Sequence, residues 1–169
     1  DLELFRDNFR RFMNEHIAPN YEQWEREGLM PRSVWNALGE NGFLCVDVPE
    51  EYGGYGVPTH YSLMLVEESA RAGFSALSTG ISCHSEIAAP YILHIGTEAQ
   101  KQYWLPKMVS GEVVGAIGMT EPGAGSDLQA MRSNAILQGE HYILNGSKTF
   151  ISNGQHDDRV VLAVHTDPQ

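Results

Sequence analysis

The stretch MTEPGAGSD, residues 119–127, follows directly on the apolar run of residues 113–117 and decides how the chain is organised. Glycine and proline break regular structure, so this stretch is predicted to be a loop. Small residues let backbone N–H groups approach a ligand, and glycines reach the positive φ values that form an anion nest. The hydroxyls of Thr120 and Ser126 suit a phosphate or the edge of a heterocyclic ring. These residues alone leave two interpretations open, a ligand-binding loop or a turn that joins two strands.

The character of the sequence changes near residues 110–112. Before this point, apolar residues recur at three- and four-residue spacings, which is typical of amphipathic helices. Thr59 is expected to cap one helix, and Thr97 with Gln100 forms a predicted capping box at another. The predicted helices are residues 2–18, 21–27, 33–40, 59–72, 75–94 with an interruption near Pro90, and a last one from Thr97 to Gly111.

After this point, short apolar runs are separated by turns such as Asn145-Gly146, which predicts β-strands. The strand candidates are residues 113–117, 133–137, 141–145, 147–151 and 159–165. We therefore predict an α+β fold, with an all-α domain at residues 1–111 and part of an antiparallel β domain at residues 112–169. Without a closing edge these strands would keep unpaired edges, so we expect the β domain to be truncated.

The composition is that of a globular protein, with 42% hydrophobic and 20% charged residues. A net charge of -11 argues against a nucleic-acid surface, which needs clustered lysines and arginines. The sequence has no apolar stretch of the roughly 18 residues that a membrane span needs, and its start lacks the pattern of a signal peptide. Cys45 and Cys83 have no CxxC spacing and are expected to be free, buried thiols. The histidines show no metal-binding spacing, so no metal site is predicted.

Residues 119–127 match neither of two common phosphate-binding patterns, because Gly-Lys-Ser/Thr does not follow and GxGxxG is absent. Two longer stretches, AIGMTEPGAGSD at residues 116–127 and LNGSKTFISNG at residues 144–154, resemble the two signature stretches of the acyl-CoA dehydrogenase family. Residues 49–56, PEEYGGYG, also resemble a loop of that family. Among its branches, SDLQ at residues 126–129 and FIS at residues 150–152 are most similar to the long-chain acyl-CoA dehydrogenases.

The resemblance implies an N-terminal helical domain, a β-barrel-like middle domain and a C-terminal four-helix domain, the last absent from this chain. It implies FAD as the cofactor, bound between the β domain and the missing helices. Thr120 would meet the flavin ring, and Ser126 would lie near the phosphates of both FAD and the acyl-CoA substrate. The residues that the resemblance assigns to cofactor binding are Ile117, Met119, Thr120, Gly125, Ser126, Phe150, Ile151 and Ser152.

The triplet at residues 150–152 departs from the family pattern at two positions. Phe150 stands where several branches have tryptophan, and Ser152 stands where they have threonine. Both replacements keep the chemistry that the family uses, an aromatic face over the flavin and a hydroxyl near its reactive nitrogen. The resemblance also implies that helices around residues 78–89 wall the acyl-chain pocket.

The activity that the resemblance implies is FAD-dependent α,β-dehydrogenation of acyl-CoA thioesters in fatty acid β-oxidation. Its electrons would pass to electron-transferring flavoprotein, and the full-length protein would be a homo-oligomer, a tetramer or a dimer. The catalytic base of the family is a glutamate of the C-terminal domain, so no catalytic residue is assigned here. Glu121, next to Pro122 in a tight loop, is interpreted as an anchoring residue.

Two alternatives to this activity remain at the level of the sequence. An acyl-CoA oxidase-like flavoenzyme would pass the electrons to oxygen. A non-catalytic module would bind a nucleotide or a partner without a base. The expected compartment is the cytoplasm for a bacterial protein and the mitochondrial matrix for a eukaryotic one.

Overall fold

The computed structural model describes residues 1–156 and 158–166, and within these ranges helices precede strands. The helices are α1 (Leu2–Phe12), α2 (Tyr21–Glu27), α3 (Arg32–Glu40), α4 (His60–Arg71), α5 (Ser75–Ile81), α6 (Ala89–Ile95) and α7 (Glu98–Val109). The strands are β1 (Gly115–Gly118), β2 (Asn134–Gln138), β3 (His141–Asn145) and β4 (Arg159–Leu162). The predicted α+β class is confirmed. Residues 157 and 167–169 of the predicted β domain lie outside the described residues.

The aromatic stripe of α1 packs into the core, as its spacing predicts. Phe9 is fully buried, and its ring lies 4.9 Å from that of Phe43, centroid to centroid. The wide π-helical turn Met13–Ile17 continues α1 almost to the predicted end of the helix. Arg10 donates two hydrogen bonds, of 2.7 and 3.0 Å, to the carboxylate of Glu68 on α4. The first helix is therefore fixed to α4 by a charged pair as well as by apolar burial.

The predicted helix at residues 75–94 is interrupted earlier than expected. The interruption is a π-helical segment, Ser82–Ala88, between α5 and α6. Pro90 lies in the first turn of α6, where the N–H that proline lacks needs no partner inside the helix. The wider π-helical turns come directly before α6. The chain therefore continues past Pro90 without a sharp break, although proline donates no hydrogen bond.

The two predicted helix caps have different outcomes. At α7 the capping box is present: Gln100 N–H donates to Thr97 Oγ1 at 3.3 Å, and Thr97 N–H donates to Gln100 Oε1 at 2.8 Å. Thr59 occupies the N-cap position of α4, as predicted, but its side chain makes no capping hydrogen bond. Thr59 already has helical angles, φ -51° and ψ -25°, whereas a capping side chain requires an extended backbone.

The first predicted strand begins two residues late because its start belongs to the helical core. Val113 and Val114 are buried, Val113 against Leu105 and Met108, and Val114 in the cluster that contains Phe9. Val113 and Val114 therefore pack among the helices instead of pairing in a sheet, and β1 begins at Gly115.

Among the strands of residues 1–156 and 158–166, the predicted antiparallel pairing holds for one pair. β2 and β3 form an antiparallel hairpin in which Ile136 faces Ile143. β1 and β4 pair in parallel, with Gly115 beside Arg159. The predicted strand 159–165 is shorter than expected because His165 leaves β4 and exchanges backbone hydrogen bonds with residues 133 and 135, beside β2.

Residues 147–151, predicted as a strand, form none. They run across the end of β1, because Thr149 N–H donates to Thr120 O at 2.9 Å outside any strand ladder. This return path brings the chain back beside β1 in the same direction, which explains the parallel pairing of β4. None of the helices in residues 1–156 and 158–166 has the length and apolar character of a membrane span.

Candidate functional site

A cleft of about 440 Å³ lies where the helical part meets the β part. One wall comes from α4, α5 and the π-helical segment, and the other comes from the end of β1 and from residues 150–152. The lining residues are Val66, Ser78, Thr79, Ser82, Cys83, Ile87, Ile117, Met119, Thr120, Phe150, Ile151 and Ser152. Six of the eight residues assigned to the cofactor from sequence therefore line one cleft. Gly125 and Ser126 lie outside this lining, on an exposed part of the loop.

The loop at residues 119–127 is closed by a short turn. Glu121 N–H donates to Ala124 O at 2.9 Å, and Ala124 N–H donates to Glu121 O at 3.1 Å. The expected anion nest is wrong, because Gly118, Gly123 and Gly125 lack the left-handed φ that it needs. Gly118 has the backbone of a strand because it belongs to β1. The two hydrogen bonds of the turn fix the backbone between Glu121 and Ala124 in a conformation without a left-handed glycine. A methyl group built on Gly123 or Gly125 would meet no atom within 4 Å, so both face open space that a ligand can enter.

Glu121 anchors this loop, as interpreted from sequence. Its carboxylate accepts hydrogen bonds from Lys148 Nζ at 2.8 Å, from Arg132 N–H at 2.7 Å and from Ser133 N–H at 3.0 Å. The Lys148 ammonium, followed by the other donors, lowers the pKa of Glu121 to about 2. A carboxylate held ionised by these donors is a poor acceptor for a substrate proton, so Glu121 does not suit the role of catalytic base.

Lys148 joins the two signature stretches, and the sequence reasoning missed it. Its ammonium group is largely buried and donates to Met119 O at 3.0 Å as well as to Glu121. The adjacent residue, Thr149, donates its amide to Thr120 O. The sequence did contain a signal for this contact, namely a lysine inside the second signature stretch. A lysine that is buried there requires a carboxylate partner, and Glu121 lies in the first stretch.

The triplet 150–152 presents its first side chain to open space. Phe150 is 92% exposed and has a left-handed backbone, with φ 55°. Ile151 is half-buried and Ser152 is exposed at the mouth of the cleft. The Ser152 carbonyl lies 3.8 Å from Cys83 Sγ, on the opposite wall. An exposed ring beside hydroxyl groups offers both stacking and hydrogen bonding to a flat ligand.

Both cysteines are free and buried, as predicted. Burial raises the pKa of Cys45 to about 12, and burial also raises the pKa of Cys83. Both thiols are therefore protonated at neutral pH, and neither is an activated nucleophile.

His84 lies behind the cleft and links the two parts of the chain. It is fully buried, its Nδ1 accepts the N–H of Gly115 at 2.9 Å, and its Nε2 lies 3.0 Å from Met108 O, to which it donates. Both ring nitrogens are thus used by backbone groups, which leaves neither for a metal ion. Burial lowers the pKa of His84 to about 4, so the ring is neutral at pH 7.

The residues of the cleft fit the flavin that the family resemblance implies. Thr120 and Ser152 bring hydroxyl groups to the cleft, Phe150 exposes an aromatic face, and the glycines of the loop leave its backbone open to a ligand. A flavin ring needs donors along its polar edge and apolar contact on its faces. The donor set and the apolar residues Ile117 and Met119 meet both requirements.

Together, the fold and the cleft define a class of α+β proteins in which a helical domain and a β domain share one binding cleft. A family model described as "Acyl-CoA dehydrogenase, N-terminal domain" matches residues 1–112, and one described as "Acyl-CoA dehydrogenase, middle domain" matches residues 116–169. The chain therefore belongs to the acyl-CoA dehydrogenase family.

Individual relatives agree with this assignment. The mitochondrial long-chain specific acyl-CoA dehydrogenase of Sus scrofa is 40% identical over 164 residues, covering 97% of this chain and 38% of its own length. The crystal structure of an acyl-CoA dehydrogenase from Geobacillus kaustophilus matches with a TM-score of 0.95 and 50% identity, over 99% of this chain and 44% of that one. A glutaryl-CoA dehydrogenase from Mycobacterium smegmatis in complex with FADH2 gives a TM-score of 0.92 at 30% identity, over 99% and 43%. This chain thus spans less than half the length of these relatives.

Proposed function

We propose that this chain forms one wall of the FAD site of an enzyme that catalyses α,β-dehydrogenation of acyl-CoA thioesters. The observation that carries the proposal is the cleft itself, where residues 117–120 and 150–152 meet although some 30 residues separate them in the sequence. Membership of the acyl-CoA dehydrogenase family supports it. We further propose that residues 1–111 and 112–169 correspond to the N-terminal and middle domains.

The roles of individual residues follow from the reaction. Oxidising a Cα–Cβ bond needs a base for the α-proton on one side of the substrate and an acceptor for the β-hydride on the other. FAD supplies the hydride acceptor when it is bound. With FAD in the cleft, the hydroxyls of Thr120 and Ser152 would donate hydrogen bonds to the flavin, and these would stabilise the negative charge that arrives with the hydride. Phe150 would cover the flavin ring and exclude water from it.

The remaining cofactor contacts are extensions of this assignment. Ile117, Met119 and Ile151 give apolar contact along the cleft. We propose that Gly125 and Ser126, on the exposed part of the loop, meet the phosphates of FAD, and that Ser126 also meets those of the acyl-CoA. Their position away from the cleft suits a part of the cofactor remote from its ring.

We propose that the base lies outside these 169 residues, because Glu121 is committed to Lys148 and to two backbone amides. The substrates that we propose are long-chain acyl-CoA thioesters of fatty acid β-oxidation. The proposed electron acceptor is electron-transferring flavoprotein, and the proposed assembly is a homo-oligomer. The similarity to the long-chain specific enzyme of Sus scrofa supports the substrate class. The compartment would be the cytoplasm in a bacterium or the mitochondrial matrix in a eukaryote.

The test is anaerobic reduction of the flavin. The full-length protein that carries these residues is loaded with FAD and mixed with palmitoyl-CoA, and the flavin absorbance is followed. We expect bleaching of the oxidised flavin band and formation of the α,β-unsaturated thioester. Retention of FAD without bleaching by palmitoyl-CoA, butyryl-CoA or glutaryl-CoA would rule out the dehydrogenase activity. Bleaching by glutaryl-CoA alone would rule out only the proposed chain length.

A further inference from the structure

The segment after β3 holds two non-glycine residues in the left-handed conformation, one at each side of the cleft-lining dipeptide. Phe150 has a φ of 55° and Asn153 has a φ of 63°. Between them lie Ile151 and Ser152, both of which line the cleft. This backbone conformation is disfavoured for residues with a side chain, so surrounding contacts must hold it.

Asn153 makes contacts of this kind. Its Nδ2 donates to Gly80 O at 3.0 Å and to Gly115 O at 3.2 Å. Gly80 lies in α5 and Gly115 begins β1, so one amide fastens the segment both to the helical wall and to the strand. Asparagine is also one of the few residues with a side chain that adopt the left-handed conformation readily.

The helix approaches Asn153 closely because residue 80 is glycine. A methyl group built at Gly80 would lie 3.1 Å from Asn153 Oδ1 and 3.3 Å from the ring of Trp35. Both separations are tighter than ordinary van der Waals contact, so even alanine at residue 80 would push against the asparagine. Gly80 and Asn153 are therefore fitted to one another across the boundary between helices and strands.

The other end of the same segment has an anchor of its own. Thr149 donates its amide to Thr120 O at 2.9 Å, and Lys148 donates to Met119 O at 3.0 Å. The triplet 150–152 is thus held between these contacts with the loop of residues 119–127 and the contacts of Asn153. Loss of the asparagine amide would release one end and leave the other in place.

We propose that Asn153 is a positioning residue for the triplet 150–152. By binding Gly80 and Gly115, it fixes where the Ser152 hydroxyl lies on the cleft wall and hence the hydrogen bond that this hydroxyl offers to a flavin. A misplacement of about 1 Å is enough to weaken such a contact severely. The identity of the ligand rests on the proposed function, whereas the anchoring of the segment does not.

The test compares the full-length protein with its Asn153→Gly variant. Glycine accepts the left-handed backbone and removes the side-chain amide, but it also adds backbone freedom, so Gly80→Ala, which leaves Asn153 in place, is measured beside it. Amide hydrogen exchange is measured first, without FAD, in the peptide that spans residues 150–153. The dissociation constant, the visible spectrum and the reduction potential of bound FAD are measured next. Asn41→Ala is the matched control, because the Asn41 amide donates to the carbonyl of Ala37 at 2.9 Å on an exposed helix end.

We expect exchange at residues 150–153 to become about tenfold faster and FAD binding about tenfold weaker in Asn153→Gly, as the loss of one to two hydrogen bonds implies. The flavin spectrum and potential should shift, and Asn41→Ala should change none of these quantities. Gly80→Ala leaves Asn153 intact and should shift the same quantities in the same direction, which covers the case in which Asn153→Gly does not fold.

Unchanged exchange at residues 150–153 in both variants would overturn the anchoring. Faster exchange with an unaltered flavin spectrum, affinity and potential would overturn the positioning role and leave Asn153 as a structural residue only. Failure of the wild-type protein to bind FAD would count against the proposed function, and the exchange comparison would still decide whether Asn153 anchors the segment.

Discussion

Acid should destabilise this chain through the buried imidazole of His84. The ring is neutral in the folded state, accepts the N–H of Gly115 and donates to Met108 O. Protonation puts a second N–H on Nδ1, where it points at the N–H of Gly115 instead of accepting it. The folded state therefore resists the proton, and burial lowers the pKa from 6.5 to about 4.

The sign and size of the effect follow from proton linkage. Between pH 6.5 and 4 the unfolded chain binds the proton of His84 and the folded chain does not. The free energy of unfolding therefore falls as the pH falls, by at most about 1.4 kcal/mol per pH unit. Over the whole interval this amounts to about 3 kcal/mol, a large share of the stability of an ordinary domain. The pH-dependent contribution fades as the pH rises above 6.5, the pKa of the unfolded state, because neither state then binds the proton.

His84→Gln removes the titration and isolates its contribution. Glutamine keeps a donor for Met108 O but leaves the N–H of Gly115 without its acceptor, so at pH 7 the variant should be less stable by about 1–3 kcal/mol. The gap should narrow as the pH falls and close or reverse near pH 4.5, because only the wild type pays for protonation. Other titrating groups are common to both proteins and cancel in the difference.

The assay is urea denaturation followed by circular dichroism at pH 7, 6, 5 and 4.5. His141→Gln is the matched control, since it makes the same substitution at an exposed position on β3. A stability difference between the wild type and His84→Gln that stays constant from pH 7 to 4.5 would refute the reasoning. It would mean that the folded state accommodates the charged ring.

Three further predictions concern other parts of the structure and are checked by equilibrium unfolding. Thr97→Ala should cost about 1 kcal/mol through loss of the capping box, and Thr59→Ala, which removes no capping bond, should cost less than about 0.5 kcal/mol; equal costs would contradict the assignment. Phe9→Ala should cost about 3–5 kcal/mol because it empties a fully buried site, and a cost below about 1 kcal/mol would mean that the core is not packed as described. Lys148→Met should lower Tm more than Lys148→Met combined with Glu121→Gln, because the single change leaves a buried carboxylate unpaired; additive effects of the two changes would show that the pair is not coupled.

Features with a local signal in the sequence were predicted well. The three- and four-residue spacing of apolar residues predicted α1, and the Thr97–Gln100 box predicted the start of α7. Asn145-Gly146 was expected to end a strand, and β3 ends at Asn145. These features depend on neighbouring residues within about one helical turn or one hairpin, so their physical cause can be read in a short window of sequence.

Other features were predicted wrongly because a longer-range contact overrode the local pattern. Residues 147–151 lie between two turn dipeptides and were expected to form a strand, yet the hydrogen bond from Thr149 to Thr120 draws them across the end of β1. Residues 113 and 114 look like the start of a strand but are buried among helices. Thr59 has the right side chain for a cap but the wrong backbone angles. In the first two cases the contact that decides the structure is made with residues remote in the sequence. In the third, the backbone angles of Thr59 decide.

By itself, the sequence determined the order of helices before strands, the family, and six residues that meet in one cleft. It could do so because helix periodicity is local and because the two signature stretches are specific as a pair. Only the tertiary structure decided that β4 lies parallel to β1, that Lys148 joins the signature stretches through Glu121, and that Asn153 bonds to Gly80 and Gly115. Those contacts join residues 27 to 73 positions apart, and no local rule of side-chain spacing specifies which distant backbone groups a buried amide or ammonium group will meet.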